Sequence, residues 1–343
     1  MGGIHMEQVD DTSPKPHPLL RSIRKQAYLY SLICKSALFY SRNIAGAVQK
    51  KAFISHRDVF SMNAEEARHC NELRRTGLTV CRGLFDRESI DQIHQKADRL
   101  FRETRLNFEA GYSVQTKKRS TLAGLTYEQL EATEKVIYLE SPLRNIPECV
   151  AIVFNESILR IVSNFLGYIS PHFAAEIVRD FPHSRPKEAS NFHKDFDDVD
   201  SVAAYIYLVD TTEQNSGAFV YVPYSNRYDP RSCRPRVSRD LGLNANDGRI
   251  SDQEVEKHYP KDTWITVREK PGSVVIFHGN GIHKGPSWAR YDDPRNRPRT
   301  AIRLGFGGFK LGAGLRRSGV KVEAEEYQTL STLQRFFVET IQV

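Results

Sequence analysis

Between Thr12 and Arg57 the chain has no aspartate or glutamate, yet that stretch holds nine basic residues: Lys15, Arg21, Arg24, Lys25, Lys35, Arg42, Lys50, Lys51 and Arg57. The gap decides how the formal charge of +7 is read, because the rest of the chain carries 40 basic against 42 acidic residues. A basic body is excluded; a basic N-terminal arm remains. Cysteine is scarce as well. Cys34, Cys70, Cys81, Cys149 and Cys233 are odd in number, widely spaced and without a C-x-x-C pair, which excludes a disulfide framework or zinc knuckle and suits a reducing, cytoplasmic setting. No apolar run reaches the roughly 18 residues of a membrane span. Glu7, Asp10 and Asp11 ahead of the basic stretch, with Pro14, Pro16 and Pro18 around its start, do not read as a signal peptide. There is no repeat period. The glycines at 305, 307, 308, 312 and 314 miss G-x-G-x-x-G because Lys310 takes the last position, so a dinucleotide fold is not supported.

What is there reads as a globular chain, 27% charged and 40% hydrophobic over 343 residues. Residues 1–18 are polar and Pro-rich, expected to be a flexible tail. Residues 19–60 form the basic arm, with an amphipathic helix expected over 19–53 where Leu20, Ile23, Ala27, Tyr30, Cys34, Ala37 and Leu38 keep helical spacing. Three readings of the arm stand side by side: peripheral contact with an anionic membrane surface, packing on its own domain, or an organelle-targeting presequence. One domain is expected over 61–320. It opens with helices at Ala64–Thr76 and Ser89–Arg105, and a third follows at Ile158–Leu166. From about residue 172 short β-branched and aromatic runs take over: Ala174–Val178, Ala203–Val209, Phe219–Val222, Thr263–Val267, Ser273–Phe277 and Thr300–Phe306. Turn clusters rather than helices separate them, which predicts an antiparallel sandwich or barrel. The polar stretch 224–262, with Arg227, Arg231, Arg234 and Arg236, is expected to be a lid-like insert. A C-terminal helix is expected over 321–343.

Two H-x-D triplets occur, His56-Arg-Asp58 and His193-Lys-Asp195. The first lies upstream of every expected strand, with no further ligand near it. The second opens the β-rich region. Residues i and i+2 of a strand share a face, so His193 and Asp195 can meet one ion. A second imidazole would complete a 2-His-1-carboxylate triad. His283, after the strand and Gly-containing turn of Pro271–Gly281, is the candidate, with His278 at the strand's end as its competitor. Beyond it, Arg299 and Arg303 share one face of the last expected strand, where a guanidinium fork would suit a dicarboxylate.

Four landmarks follow in order: Gly77-Leu-Thr-Val-Cys-Arg-Gly83 with its helix, Phe192-His-Lys-Asp195, Asn215-Ser-Gly-Ala-Phe-Val-Tyr-Val-Pro223, and Gly272-Ser-Val-Val-Ile-Phe-His278 with His283 and then Arg299-Thr-Ala-Ile302. Over about residues 70 to 315 the chain resembles the phytanoyl-CoA dioxygenase family of Fe(II)- and 2-oxoglutarate-dependent oxygenases. The resemblance implies a mainly β fold with flanking helices, a double-stranded β-helix (jelly roll, cupin-like) preceded by an N-terminal helical region. It implies His193, Asp195 and His283 as iron ligands, and Arg299 as partner of the distal carboxylate of 2-oxoglutarate, with Arg303, Arg290, Arg295 and Arg297 as alternatives. Tyr205 stands near the family's aromatic position beside the co-substrate. Fe(II), 2-oxoglutarate and O2 are then the cofactor and co-substrates, succinate and CO2 the by-products. A small-molecule or lipid- or glycan-linked substrate would be hydroxylated. Asp195 keeps the carboxylate that a halogenase lacks. The family's Pro-Gly-Ser-His is Pro223-Tyr-Ser-Asn226 here, and the interval from His283 to Arg299 is longer than usual. Two other functions remain open to the sequence: a nucleic-acid demethylase with the same metal chemistry, which the slightly acidic body does not favour, and a non-catalytic jelly-roll module.

Overall fold

A computed structural model describes residues 53–340, apart from 104–108, 114–117, 122–125, 133–135, 141, 171, 184–189, 196–200, 227, 230–233, 236–248, 308–319 and 323. The tail, nearly all of the basic arm, and Arg227, Arg231 and Arg236 of the insert lie outside the described residues. The arm's end is described: Phe60 is buried and its ring lies 5.8 Å from Phe336 near the C-terminus. His56 of the first H-x-D triplet sits edge-on to the same Phe336, at 4.9 Å. Among the described residues no single helix is long and apolar enough to cross a membrane.

Helix α1 (Ala64–Thr76) starts at a capping box. Asn63 accepts from the Glu66 backbone, and Glu66 reaches back to the Asn63 N–H. Its end is fixed by Gly77 in the left-handed region, φ 87°. Strand β1 (Leu78–Cys81) and helix α2 (Arg87–Arg102, capped by Asp86) follow. Glu66 does more than cap. Its carboxylate also takes Arg160 Nε and Nη2 and Ser157 Oγ from α3 (Glu156–Leu166), tying the two helices together. Burial works against the Glu66 charge, but the hydrogen bonds from Arg160, Ser157 and Asn63 outweigh it and hold the carboxyl below its ordinary range. A folded-state value below the unfolded one gives stability that is present at neutral pH and lost as pH falls through the folded value. Glu66→Ala is therefore expected to cost about 2–3 kcal/mol at pH 7. Urea unfolding should show that gap closing as the pH drops below about 4.

The eight-stranded sheet has the order β1-β9-β6-β11-β5-β4-β2-β3, where β2 is Glu109–Ser113, β3 Lys118–Thr121, β4 Val136–Glu140, β5 His172–Asp180, β6 Val202–Tyr207, β9 Val274–His278 and β11 Arg299–Gly307. A three-stranded sheet, β8-β7-β10, faces it, with β7 at Ala218–Tyr221, β8 at Ile265–Val267 and β10 at His283–Ser287. From β6 to β11 the chain crosses between the sheets four times, with β7 and β8 both in the smaller one, the connection of a jelly roll and the fold expected from the sequence.

Alternation along each strand then separates two cores. Ile177, Ile206, Ile276, Ile302, Leu304 and Phe306 face the helices. Val178, Ala203, Tyr207, Val275, Phe277 and Ala301 face inward, onto Phe219, Tyr221 and Val267 of the smaller sheet. A third cluster joins Phe192, Val220 and Ile282 to Ile250 and Val255 of the insert. There a short helix, α4 (Asp252–Glu256), is held by buried Lys284, whose Nζ lies 2.6 Å from Asp252 and 4.6 Å from the Phe192 ring. The described part of the insert therefore packs against the strand that carries His283.

The C-terminal helix expected over 321–343 is not what forms. Val320–Val322 (β12) and Val338–Thr340 (β13) pair in parallel, with short helices at Ala324–Thr329 (α5) and Thr332–Arg335 (α6) between them. Ser331 restarts the chain as an N-cap in a capping box with Gln334, and β-branched ends favour strands.

Candidate metal centre

His193 and Asp195 lie between β5 and β6 in the sequence, and His283 opens β10. The two histidines sit opposite each other in an antiparallel bridge: His193 N donates to His283 O at 2.8 Å and His283 N to His193 O at 2.9 Å. Asp195 is held by its own backbone, N to Gly279 O at 2.7 Å, and Gly279 N returns to Ser201 O at 2.7 Å. Gly279 is needed there, since a Cβ would stand 2.7 Å from Ser201 Oγ and 3.0 Å from Asp195 Oδ2. The three side chains thus come within ligating reach of one point, their donor atoms all within 4.8 Å of one another. His283 Nε2 is 3.8 Å from Asp195 Oδ1.

Both imidazoles are prepared for a metal in the same way. His193 Nδ1 lies 3.0 Å from Asn191 O and His283 Nδ1 2.9 Å from Gly281 O. A carbonyl only accepts, so each Nδ1 carries the proton and each Nε2 presents a lone pair. Burial, then the neighbouring His283, pushes the His193 imidazolium form down; burial does the same to His283, against the pull of Asp195. Phe277 (4.9 Å), Phe219 (5.6 Å) and a stacked Tyr221 (6.5 Å) surround the His283 ring. His278, the competing candidate, ends β9 with its ring 5.6 Å from Phe165 of α3 and its Nδ1 accepting from Asn280 N; burial lowers its pKa to about 4.

The structure also sorts the arginines. Arg290 and Arg295 are exposed and paired with Asp292 and Asp293, and Arg297 is exposed. Arg299 and Arg303 point into the barrel, each opposite an acid of β5: Arg299 registers with Asp180 and Arg303 with Glu176. Arg299 is 2% exposed and gives Nε (2.9 Å) and Nη2 (2.6 Å) to Asp180 Oδ2. Burial opposes its charge, but Asp180 prevails and keeps it protonated. Its Nη1 is buried with no hydrogen-bond partner among the described residues. Gly285, two residues beyond His283, makes the room: a Cβ there would be 2.8 Å from Nη1. Tyr205 lies beside it, its ring 5.3 Å from the Arg299 guanidinium and stacked on Phe277 at 5.6 Å.

Tyr207 was not singled out by the sequence. It is fully buried, its hydroxyl beside the Phe219 backbone and without a well-formed hydrogen bond among the described residues, and burial pushes its phenol up despite Arg299 nearby. The period-2 spacing from Tyr205, on the same inward face, was the signal that could have found it. The altered hairpin end is also explained. Tyr224 takes φ 64°, the left-handed backbone that suits glycine, so the turn survives the substitution. Ser225 Oγ still donates to Val222 O and accepts Ile282 N, tying the hairpin to the start of β10.

A jelly roll with two imidazoles and one carboxylate converging inside it is the constellation of the non-haem oxygenases. A sequence model for phytanoyl-CoA dioxygenase matches residues 73–287. The chain belongs to the phytanoyl-CoA dioxygenase family, and its activity is that of an oxygenase dependent on Fe(II) and 2-oxoglutarate. No curated protein matches it significantly. Among solved structures it is similar to the epimerase SnoN in complex with Fe3+, alpha ketoglutarate and nogalamycin RO (15% identity, 71% of this chain and 84% of that one, TM-score 0.47). It is also similar to EvdO2 from Micromonospora carbonacea var. aurantiaca (15%, 75% and 96%, 0.47) and to EctD from S. alaskensis with bound Fe (13%, 72% and 77%, 0.45).

Proposed function

We propose that the protein hydroxylates a small-molecule substrate, with His193, Asp195 and His283 as the iron ligands and Arg299 and Tyr205 holding 2-oxoglutarate. Iron with 2-oxoglutarate and O2 supplies the oxidant, and succinate and CO2 are released. The chain's own part is to bind, orient and exclude water. His193 and His283 offer neutral Nε2 atoms and Asp195 a carboxylate, three ligands that leave further positions for the co-substrate.

The observation that carries the co-substrate assignment is Arg299 Nη1. A buried guanidinium N–H without an acceptor is costly, and a carboxylate entering beside Gly285 would satisfy it. The buried hydroxyl of Tyr207 supports the same reading, as a second donor to that carboxylate. Tyr205 would cover the co-substrate's chain between Arg299 and Phe277.

The test is succinate formation from 2-oxoglutarate by anaerobically iron-loaded protein, on admission of air, against an extract of candidate metabolites. Zinc or nothing in the loaded protein would count against the triad. A narrower prediction isolates the co-substrate pocket. In Gly285→Ala the new Cβ presses on Arg299 Nη1 at 2.8 Å, so the KM for 2-oxoglutarate should rise about tenfold. Iron content, measured by metal analysis, should not change.

A further inference from the structure

The inner face of β5 and β11 carries two acid–base pairs, and only the first has been given work. Arg299–Asp180 is sealed, with side chains 2% and 4% exposed. Four residues along both strands, Arg303 meets Glu176, Nη1 to Oε1 at 3.1 Å, and these side chains are 36% and 21% exposed. Strand alternation puts both on the inward face with Ala301 and Val178. A pair that faces inward and is still wetted lies where the barrel interior opens to solvent.

Aromatic contacts connect that opening to the triad. Glu176 holds Arg303 in an ion pair beside Tyr205, whose ring also lies 5.3 Å from the Arg299 guanidinium and is stacked on Phe277, itself 4.9 Å from the His283 ring. Arg303 stands directly across from Tyr205 in the β11–β6 register. Tyr138 of β4, two positions from Glu176 in register, completes the wall.

Given the oxygenase reading, we propose that Glu176 and Arg303 are the substrate-recognition pair of this enzyme and that they take a neutral, polyhydroxylated group, a sugar or cyclitol ring bearing neighbouring hydroxyls.

Charge decides against an ionic substrate. Inside the barrel the two guanidiniums already meet Asp180 and Glu176, and Asp195 is reserved for the metal. An anion arriving at Arg303 or a cation arriving at Glu176 would have to displace the partner that each already holds, Nη1 to Oε1 at 3.1 Å. An apolar chain fares no better, because it would strip water from a half-open ion pair and return no hydrogen bonds. Hydroxyls donate and accept. One oxygen can take an N–H of Arg303 while its neighbour's O–H goes to Glu176, and the Tyr138 and Tyr205 rings bound the space with amphipathic faces.

The experiment uses the full chain loaded with Fe(II) and 2-oxoglutarate under argon, and repeats it without iron. Ligand-observed NMR measures binding of methyl α-glucoside and myo-inositol against glucuronate and decanoate. The neutral polyols are expected to bind tightest, and Arg303→Met or Glu176→Gln to weaken them about tenfold or more. 2-Oxoglutarate binding should shift less than about threefold in either variant. Because a lone buried charge could unfold the chain, Glu176→Gln with Arg303→Gln is the companion. It leaves no unpaired charge, should melt near the wild type, and should keep more polyol affinity than Arg303→Met. Tighter binding of glucuronate or decanoate, or polyol binding unchanged in both single variants, overturns the proposal. Failure of the wild type to bind 2-oxoglutarate would strike the oxygenase reading instead, while polyol binding that is lost in the variants without iron would still support the subsite.

Discussion

Asp195→Ala is expected to lower succinate formation from 2-oxoglutarate by about a thousandfold or more, a larger loss than mutation of an outer residue that only orients a ligand. Asp195 is the one carboxylate in the cluster with His193 and His283. Its backbone N–H to Gly279 O does not depend on the side chain, so the loop keeps its path when the carboxylate goes. The side chain is 30% exposed and its approach to His283 Nε2 is only 3.8 Å, so folding stability should barely change. The decisive measurement is therefore a pair: succinate release, and iron bound per chain, on protein whose melting temperature matches the wild type. Wild-type turnover in Asp195→Ala would sink the assignment of the metal ligands. Asp195→Asn separates charge from shape, and should recover part of the iron but little of the turnover.

How much of this was legible in the sequence follows from which interactions are local. The strands from β5 to β11 were, apart from β10, because inward and outward residues alternate between Pro and Gly turns; the run expected at Thr300–Phe306 is Arg299–Gly307 in the fold, whereas His283-Lys-Gly-Pro-Ser287 of β10 has no such alternation. Helix α1 was, because Asn63, Glu66 and Gly77 punctuate it. Strands β2 and β3 were not: Glu109-Ala-Gly-Tyr-Ser113 and Lys118-Arg-Ser-Thr121 have no apolar alternation, and they extend the sheet only by pairing onto it. The H-x-D pair could be read as a ligand pair from its spacing. That His283 rather than His278 joins it rested on the family resemblance and on its place after the turn, since the bridge from His193 to His283 pairs residues 90 apart and no local pattern gives it. The arginines divide in the same way. Their shared face was visible at a spacing of four, but what separates a sealed Arg299 from an open Arg303 is Asp180 and Glu176 on β5, and no local pattern gives that register.

Arg299→Met should do two things at once, and separating them is what identifies the residue's role. It removes the ion-pair partner of the Asp180 carboxylate, which is 4% exposed, and stranding that charge should cost about 3–5 kcal/mol. It also removes Nη1, so the KM for 2-oxoglutarate should rise about a hundredfold or more. The stability cost has a pH signature. Burial already raises the Asp180 pKa against the pull of Arg299, and without Arg299 it rises further, so the variant holds its proton to higher pH and its deficit relative to wild type grows as the pH rises. Denaturant unfolding at pH 5 and pH 8 should find the variant closer to wild type at the lower value. Adding Asp180→Leu removes the stranded charge and fills its place with apolar volume, so stability should return to within about 1–2 kcal/mol of wild type. A stable Arg299→Met, Asp180→Leu chain that still binds 2-oxoglutarate poorly assigns the defect to the missing guanidinium and not to a disordered barrel. If affinity returns with stability, the anchor lies elsewhere, and Arg303 is the other guanidinium on that inward face of β11.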